Sequence, residues 1–325
     1  MVINVERIAA FIGSRFSGVK KRTNGMYIRH KLRGWLWAVI RAVLLIGIAY
    51  VILFPLLSKI ISAFMVYEDT FDKTVKWIPK TVTLENFKLA FRYMNYPKAL
   101  FNSLLLSLSV AILQTLSSAF IGYGFARFKF PFCRLLFVCV IVLLLVPPQI
   151  IHIPLYLNFH FFDLFGLLPN GGINLLGNIV PFLILSVFGV GPRAGLFIFI
   201  MRQSYLRVPR ELEEAARVDG CGPFKTFFRI IVPSSVASIT VVFLFSLVWQ
   251  YNDAYWTNLF ANDMFVLSKA LEGLELAVHM GTGIRGAAIS LVQNAGMIWF
   301  LLPLIVIYIF TQKFFIESIS HAGLK

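Results

Sequence analysis

The sequence predicts an all-α membrane protein with six transmembrane helices and both termini in the cytoplasm. Of its 325 residues, 58% are hydrophobic and 14% are charged, whereas soluble domains contain about 25% charged and about 45–50% apolar residues. Charge-free segments recur that exceed the roughly 20 apolar residues a helix needs to cross a bilayer. Basic residues also collect in alternate loops, as in polytopic membrane proteins. These observations exclude a soluble globular protein.

Six apolar segments justify the count of spans. We predict them at residues 35–57, 103–123, 135–155, 179–201, 236–250 with its flank, and 288–310. The fourth is interrupted by the run Gly189-Val-Gly-Pro-Arg-Ala-Gly195. Glycine and proline kink or break a helix unless neighbouring groups satisfy its backbone.

The net charge of +15 indicates either affinity for nucleic acid or basic cytoplasmic loops. The first 34 residues contain eight Lys and Arg residues against the single acid Glu6, and segments 124–134 and 202–233 are also rich in Lys and Arg. Segment 157–175, on the opposite side of the predicted topology, has neither. The charge therefore predicts orientation and not nucleic-acid binding. We expect the basic N-terminus to be a cytoplasmic tail and not a cleaved signal peptide.

The loop after the fourth span predicts two short helices separated by a glycine turn. Pro209 suits a first helical position, Gly220 a left-handed C-terminal cap, and Pro223 the start of the second helix. In the second helix, Phe224, Phe227, Phe228 and Ile231 are spaced to share one face. Such a segment docks into a partner's groove or rests on lipid headgroups, and the pattern alone leaves both open.

Four short motifs carry a family resemblance. The run Glu214-Ala-Ala216, three residues, Gly220, nine residues, then Ile230 and Val232-Pro233 resembles the EAA loop of permease subunits of ATP-binding-cassette (ABC) importers, with Val232 in place of the usual leucine. The other motifs resemble the MalG-type sugar permeases: Leu84-Glu-Asn-Phe87, Phe125-Ala-Arg-Phe-Lys-Phe-Pro131, and Gln312-Lys-Phe-Phe315 with Gly323-Leu-Lys325. The likeness covers the chain from about residue 84 to its end.

The resemblance implies a type-1 ABC importer permease (MetI-like) fold in a bacterial cell membrane, as a multi-pass protein. It implies a second permease subunit, two cytoplasmic ATPase subunits that hold the ATP and Mg²⁺, an extracytoplasmic sugar-binding protein, and surrounding lipid. The ATPase-coupling residues carried over by position are Glu214, Ala215, Ala216, Asp219, Gly220 and Pro223. Among them, Glu214 is the expected ion-pairing residue, Ala215 and Ala216 permit close approach, and Gly220 makes the turn.

The chain is accordingly expected to divide into four parts. Residues 1–34 are a basic cytoplasmic tail, and residues 35–98 contain the first span and an extracytoplasmic segment. Residues 99–312 are the ABC transmembrane type-1 core, which includes the coupling loop 206–233. Residues 313–325 are a cytoplasmic C-terminal tail.

The sequence contains no motif for an enzyme or a metal site. It has no Gly-x-x-x-x-Gly-Lys-Ser/Thr phosphate loop, no His-Glu-x-x-His and no paired cysteine cluster. We therefore expect a transporter subunit without its own ATPase site, cofactor or metal. An ion-driven secondary transporter is the main rival, but it usually needs acids buried in its spans, and the predicted spans contain almost none. A membrane-embedded enzyme is a second rival, and it needs a catalytic cluster that the sequence does not contain.

Polar and aromatic residues near the spans predict a substrate pathway. The run Trp249-Gln-Tyr-Asn-Asp-Ala-Tyr-Trp256 combines aromatic platforms with hydrogen-bonding groups, as sugar sites do, but an interfacial aromatic belt has the same composition. Polar residues at membrane depth commonly face a pathway, although Arg193 could also snorkel or pair with an acid of a partner subunit. The candidates are Arg193, Trp249, Gln250, Tyr251, Asn252, Gln293 and Asn294.

Overall fold

A computed structural model describes the backbone of residues 5–72, 78–163, 166 and 172–323. Within these ranges it describes the side chains of residues 33–312, apart from Pro148. The basic residues of the predicted tail within 1–32 and the C-terminal segment 313–325 lie outside the described side chains. No β-strand occurs in the described ranges, where pairing is limited to isolated bridges from Met65 to Val82 and from Phe162 to Ile173. The predicted all-α fold class is confirmed.

The chain divides into two compact units, Met1–Ile61 and Ser62–Lys325. The helices are α1 (Val5–Ala63), α2 (Glu85–Tyr93), α3 (Tyr96–Arg127), α4 (Cys133–Leu145), α5 (His152–His160), α6 (Val180–Val187), α7 (Ala194–Arg207), α8 (Arg210–Val218), α9 (Pro223–Thr226), α10 (Val232–Ser234), α11 (Val236–Tyr251), α12 (Tyr255–Phe260), α13 (Leu267–Glu272), α14 (Leu274–Thr282) and α15 (Ala287–Gly323). Two short 3₁₀ helices, Tyr67–Thr70 and Pro148–Ile150, and a π-helical turn, Phe227–Ile231, complete the described elements.

Among the described residues, three segments are helical, long and apolar enough to cross a bilayer: Arg33–Ala63, Tyr96–Arg127 and Ala287–Gln312. They coincide with the first, second and sixth predicted spans. A fourth, Pro223–Ser234 followed by Val236–Tyr251, contains the fifth predicted span but bends by 82°. Six complete spans and cytoplasmic termini therefore stay a prediction.

The third and fourth predicted spans are not continuous helices. Helix α4 has 13 residues, which reach about 20 Å and do not cross a core of about 30 Å. Pro147 and Pro148 follow it, and proline has no N–H to continue the helix. The fourth span is divided into α6 and α7 at the expected place, where Gly189 adopts a φ of +64°.

Helix α3 is the central element of the second unit and contacts α6, α7, α11 and α13. Two glycines bring backbones close together, as small residues do between membrane helices. A Cβ atom on Gly122 would lie 2.8 Å from the Cβ of Met201 in α7. One on Gly195 in α7 would lie 2.7 Å from the carbonyl oxygen of Val140 in α4. The resulting α3–α7–α4 contacts therefore depend on these glycines.

Three apolar clusters lie along this framework. One includes Met94, Leu274 and Val292, from α2, α14 and α15. The other two are built on α3. The buried members of the second cluster are Ala119, Tyr123, Ala126, Phe197, Met201, Tyr205, Val208, Phe227, Ile231 and Val242. The buried members of the third cluster are Leu106, Val110, Phe159, Phe182, Leu185, Trp256, Phe260, Ala261 and Val266. The last two clusters position the two candidate sites described next.

Candidate functional site

The predicted helix–glycine–helix segment is present in the structure. Helix α8 begins at Arg210, one residue later than expected. Pro209 is therefore its N-cap residue and not its first helical residue. Gly220 has a φ of +77° and its amide donates to the carbonyl of Arg217, so the predicted left-handed turn is confirmed. Pro223 is the first residue of α9, also as predicted. The segment therefore forms two short helices joined by a glycine turn.

Five of the six predicted coupling residues form an exposed surface at this turn: Glu214, Ala215, Asp219, Gly220 and Pro223. Ala216 is different, because it is 6% exposed and faces the interior of its own chain. The surface presents two carboxylates beside residues with small side chains. It is therefore suited to a partner that offers basic groups and approaches closely.

Glu213, one position before the EAA pattern, is buried, with 4% of its surface exposed. Its carboxylate Oε1 lies 2.5 Å from Nε of Arg127, and both side chains are 5% exposed. Arg127 is the last residue of α3, and its Nη2 also donates to the carbonyl of Val208 at 2.6 Å. One guanidinium thus holds both α8 and the residue that precedes its N-cap.

The aromatic residues after the turn do not all share one face, contrary to the prediction. Phe227 and Ile231 are buried against Tyr123 and Tyr205, whereas Phe224 and Phe228 are mostly exposed. The chain takes a π-helical turn at Phe227–Ile231, so the α-helical spacing that would put the four residues on one face does not hold there. Phe224 lines an open apolar hollow with Phe120 and Phe128.

A small, mostly apolar cavity with several polar groups in its wall lies inside the second unit, between α3, α6, α7, α11 and α12. Its volume is about 50 Å³, which leaves room for about three waters. Arg193, Trp249 and Gln250, three of the predicted pathway residues, line it. The guanidinium carbon of Arg193 lies 4.7 Å from the centre of the Trp249 ring, a cation–π contact.

Further polar groups of the cavity were missed by sequence reasoning. Gln114 of α3 lines it, and its Nε2 lies 3.4 Å from the hydroxyl of Ser118. Asp253 also lines it, two residues beyond the end of α11, and accepts from the amide of Thr257 at 3.0 Å. Burial raises the pKa of Asp253, and hydrogen bonds from Thr257 and the charge of Arg193 oppose this rise. The Nε2 of Gln250 is buried and has no hydrogen-bond partner among the described residues.

The four other predicted pathway residues lie elsewhere. Tyr251 donates to the carbonyl of Phe300 at 2.8 Å, and Asn252 donates to the carbonyl of Val248 at 2.7 Å. Gln293 donates to Glu275 at 3.2 Å, and Asn294 is buried in α15. None of the four lines the cavity that Arg193 and Trp249 share.

Two sequence signals could have identified the missed residues. Gln114 is a polar residue inside an apolar span, the same criterion that selected Gln293. Glu213 precedes Ala216 by three positions, a spacing that puts both on one helix face. Where metals are concerned, the described residues contain no group of three or more His, Cys, Asp or Glu that could hold an ion.

Comparison with known proteins gives one family. A model described as "Binding-protein-dependent transport system inner membrane component" matches residues 118–321. The chain is 29% identical over 283 residues to the arabinooligosaccharides transport system permease protein AraQ of Halalkalibacterium halodurans, covering 86% of this chain and 93% of that protein. It is 26% identical over 283 residues to the maltodextrin transport system permease protein MdxG of Bacillus subtilis, covering 86% and 92%.

A third relative is 24% identical over 296 residues, the sn-glycerol-3-phosphate transport system permease protein UgpE of Escherichia coli, with 88% of this chain and 97% of that protein covered. Among solved structures, a chain of a bacterial ABC transporter involved in the import of the acidic polysaccharide alginate matches with a TM-score of 0.70 and 15% identity. That match covers 86% of this chain and 96% of the other. It shows the fold that the two chains share.

Proposed function

The chain belongs to the family of binding-protein-dependent transport system inner membrane components, and we propose that it is the permease subunit of an ABC importer for a sugar or oligosaccharide. The exposed acidic turn at Glu214 to Gly220 is the observation that carries the coupling part of this proposal. The saccharide substrate class is supported by relatives whose names specify arabinooligosaccharides and maltodextrin. The MalG-type motifs support the same class.

The proposed complex contains this chain, a second permease subunit, two cytoplasmic ATPase subunits and an extracytoplasmic binding protein. ATP and Mg²⁺ bind to the ATPase subunits, because this chain has no phosphate-binding loop of its own. The chain lies in the bacterial plasma membrane with its N-terminal tail, the 206–233 loop and the C-terminal tail in the cytoplasm. The four-part division of the sequence at residues 34, 98 and 312 is part of this proposal.

The proposed coupling contact consists of Glu214, Ala215, Asp219, Gly220 and Pro223, with Ala216 supporting the helix from inside. Carboxylates at an exposed helix pair with basic groups on an approaching partner. ATPase closure then moves α8 and changes which side of the membrane the pathway faces. Arg193, Trp249 and Gln250, together with Gln114 and Asp253, are proposed to line that pathway. The cavity that these residues line has a volume of about 50 Å³, far less than the roughly 300–1,000 Å³ of a small-molecule site, as expected for a closed pathway.

The test is co-expression of the chain with its candidate ATPases and exchange of Glu214 for glutamine. We expect the Glu214→Gln variant to retain less ATPase after purification than the unaltered chain and to import less sugar. Glu275→Gln is the matched control, because it removes a carboxylate from the surface assigned to the opposite side of the membrane. Retained ATPase association and full transport in Glu214→Gln would contradict the coupling assignment.

A further inference from the structure

We propose that the buried ion pair between Arg127 and Glu213 couples movement of α8 to α3, and through α3 to the cavity lined by Arg193 and Trp249. We call this ion pair the joint. The inference rests on the proposed function, since it concerns how movement at the coupling surface reaches the pathway. It assigns to Arg127 and Glu213 a positioning role, distinct from that of the exposed Glu214. Both residues of the pair are buried within this chain.

The geometry makes Arg127 a two-point attachment. Its Nε lies 2.5 Å from the carboxylate of Glu213, and its Nη2 donates to the carbonyl of Val208 at 2.6 Å. Val208 and Glu213 stand on either side of Pro209, the N-cap of α8. The guanidinium therefore holds the start of α8 through both backbone and side chain, and α8 cannot tilt without pulling on the end of α3.

Burial makes this attachment hard to open. Both side chains are 5% exposed, so separating them leaves two charges away from water, which is strongly unfavourable. An exposed pair such as Lys88 and Glu85, 2.6 Å apart, is open to water and has no such constraint. The Arg127–Glu213 pair is consequently expected to move as one body with the elements that it joins.

Helix α3 connects the pair to the cavity. It runs without interruption from Tyr96 to Arg127, and Gln114, which lines the cavity, lies on the same helix. At about 1.5 Å per residue, Gln114 lies roughly 20 Å along the axis from Arg127. Gly122 packs against Met201 between these points, so movement of α3 is passed to α7, which begins beside Arg193. The exposed turn and the cavity thus share a rigid connection.

Three variants test the joint in the assembled importer: Glu213→Gln, Arg127→Gln, and the double exchange Arg127→Glu with Glu213→Arg. Each is compared in proteoliposomes for ATPase retained, ATP hydrolysed and sugar imported per ATP. We expect Glu213→Gln complexes to retain the ATPase and hydrolyse ATP, while sugar imported per ATP falls at least tenfold. The charge exchange should restore part of this ratio. Glu85→Gln, which removes the exposed pair with Lys88, should leave it unchanged.

Two results would overturn the joint. One is a Glu213→Gln complex that imports within twofold of the unaltered amount per ATP. The other is a loss of import in proportion to the loss of assembled complex. That result would mean that the pair merely stabilises the fold.

Failure of the proposed function is recognised separately, because then the unaltered complex imports no sugar. In that case, amide hydrogen exchange of the purified chain tests whether Arg127 and Glu213 hold α8 to α3. The joint predicts that Glu213→Gln speeds amide exchange in α8 and at the end of α3, and that Glu85→Gln does not. Equal exchange in the two variants would overturn the joint.

Discussion

At the scale of residues, backbone requirements were easier to predict than side-chain partners. Gly220 and Pro223 follow from local rules, since a left-handed cap favours glycine and proline suits the first helical turn, and the structure has both features. Glu213 and Arg127 are 86 positions apart in sequence, and their contact depends on how α3 and α8 pack. The sequence could therefore indicate the acidic helix but not that Glu213 is paired with Arg127.

Gly220 gives a prediction that separates backbone conformation from crowding. A Cβ at Gly220 or at Gly222 would meet no atom within 4 Å, but Gly220 has a φ of +77° and Gly222 one of −71°. Gly220→Ala should destabilise the turn by about 1 kcal/mol because an L side chain is strained there, speeding amide exchange in 210–226 about fivefold. Gly222→Ala should not accelerate exchange. Equal behaviour of the two variants would contradict the conformational argument.

The cation–π contact between Arg193 and Trp249 gives a second prediction at this scale. Such contacts contribute about 0.5–2 kcal/mol, and these two residues line the cavity assigned to the pathway. Trp249→Ala should lower the rate of sugar uptake severalfold while ATPase association is retained, and Trp249→Phe should lower it less.

Tyr255 provides the matched control for the aromatic run. It belongs to the same sequence motif as Trp249, but it is exposed and does not line the cavity. Tyr255→Ala should therefore leave uptake nearly unchanged. Equal losses for Tyr255→Ala and Trp249→Ala would favour the other interpretation of the run, an interfacial aromatic belt.

At the scale of elements, the break in the fourth predicted span was expected from its glycines and proline, whereas the end of the third at Leu145 was not. Proline alone does not decide the outcome, because Arg33–Ala63 and Ala287–Gln312 stay helical through Pro55 and Pro303. The third predicted span is limited by Pro147 and Pro148, whose effect depends on whether neighbouring groups satisfy the freed carbonyls. Apolar content alone could not decide between a kinked span and two short helices, since both bury the same residues.

The close approach of α3 and α7 at Gly122 gives a prediction for this scale. A Cβ at Gly122 would lie 2.8 Å from Met201 Cβ and 3.0 Å from the amide nitrogen of Arg202, whereas one at Gly124 would meet no atom within 4 Å. Gly122→Ala should cost about 1–3 kcal/mol through overpacking and lower the Tm of the purified chain. Gly124→Ala should hold or raise the Tm, because alanine favours helix by up to about 1 kcal/mol over glycine. A Gly122→Ala chain as stable as Gly124→Ala would refute the proposed close contact.

At the scale of the whole molecule, the balance of charge predicts orientation. We assign α8 to the cytoplasm and α14 to the outside, because basic residues collect in 202–233 and not in 252–287. Val218 in α8 is 88% exposed and Met280 in α14 is 78% exposed, so both are suitable for labelling. In a chain whose Cys133, Cys139 and Cys221 are replaced by serine, a membrane-impermeant thiol reagent should label Met280→Cys in intact cells. Val218→Cys should be labelled only after permeabilisation, and its labelling in intact cells would reverse the assigned topology.

The central claim is that this chain forms the pathway of an importer driven by ATP hydrolysis in partner subunits. The most direct measurement is sugar uptake by proteoliposomes that contain the chain with its second permease and ATPase, with the binding protein outside. We predict uptake that requires ATP inside and the binding protein outside, and that persists when a protonophore collapses an imposed proton gradient. Uptake that continues without ATP and stops with the protonophore would contradict the account and favour an ion-driven transporter.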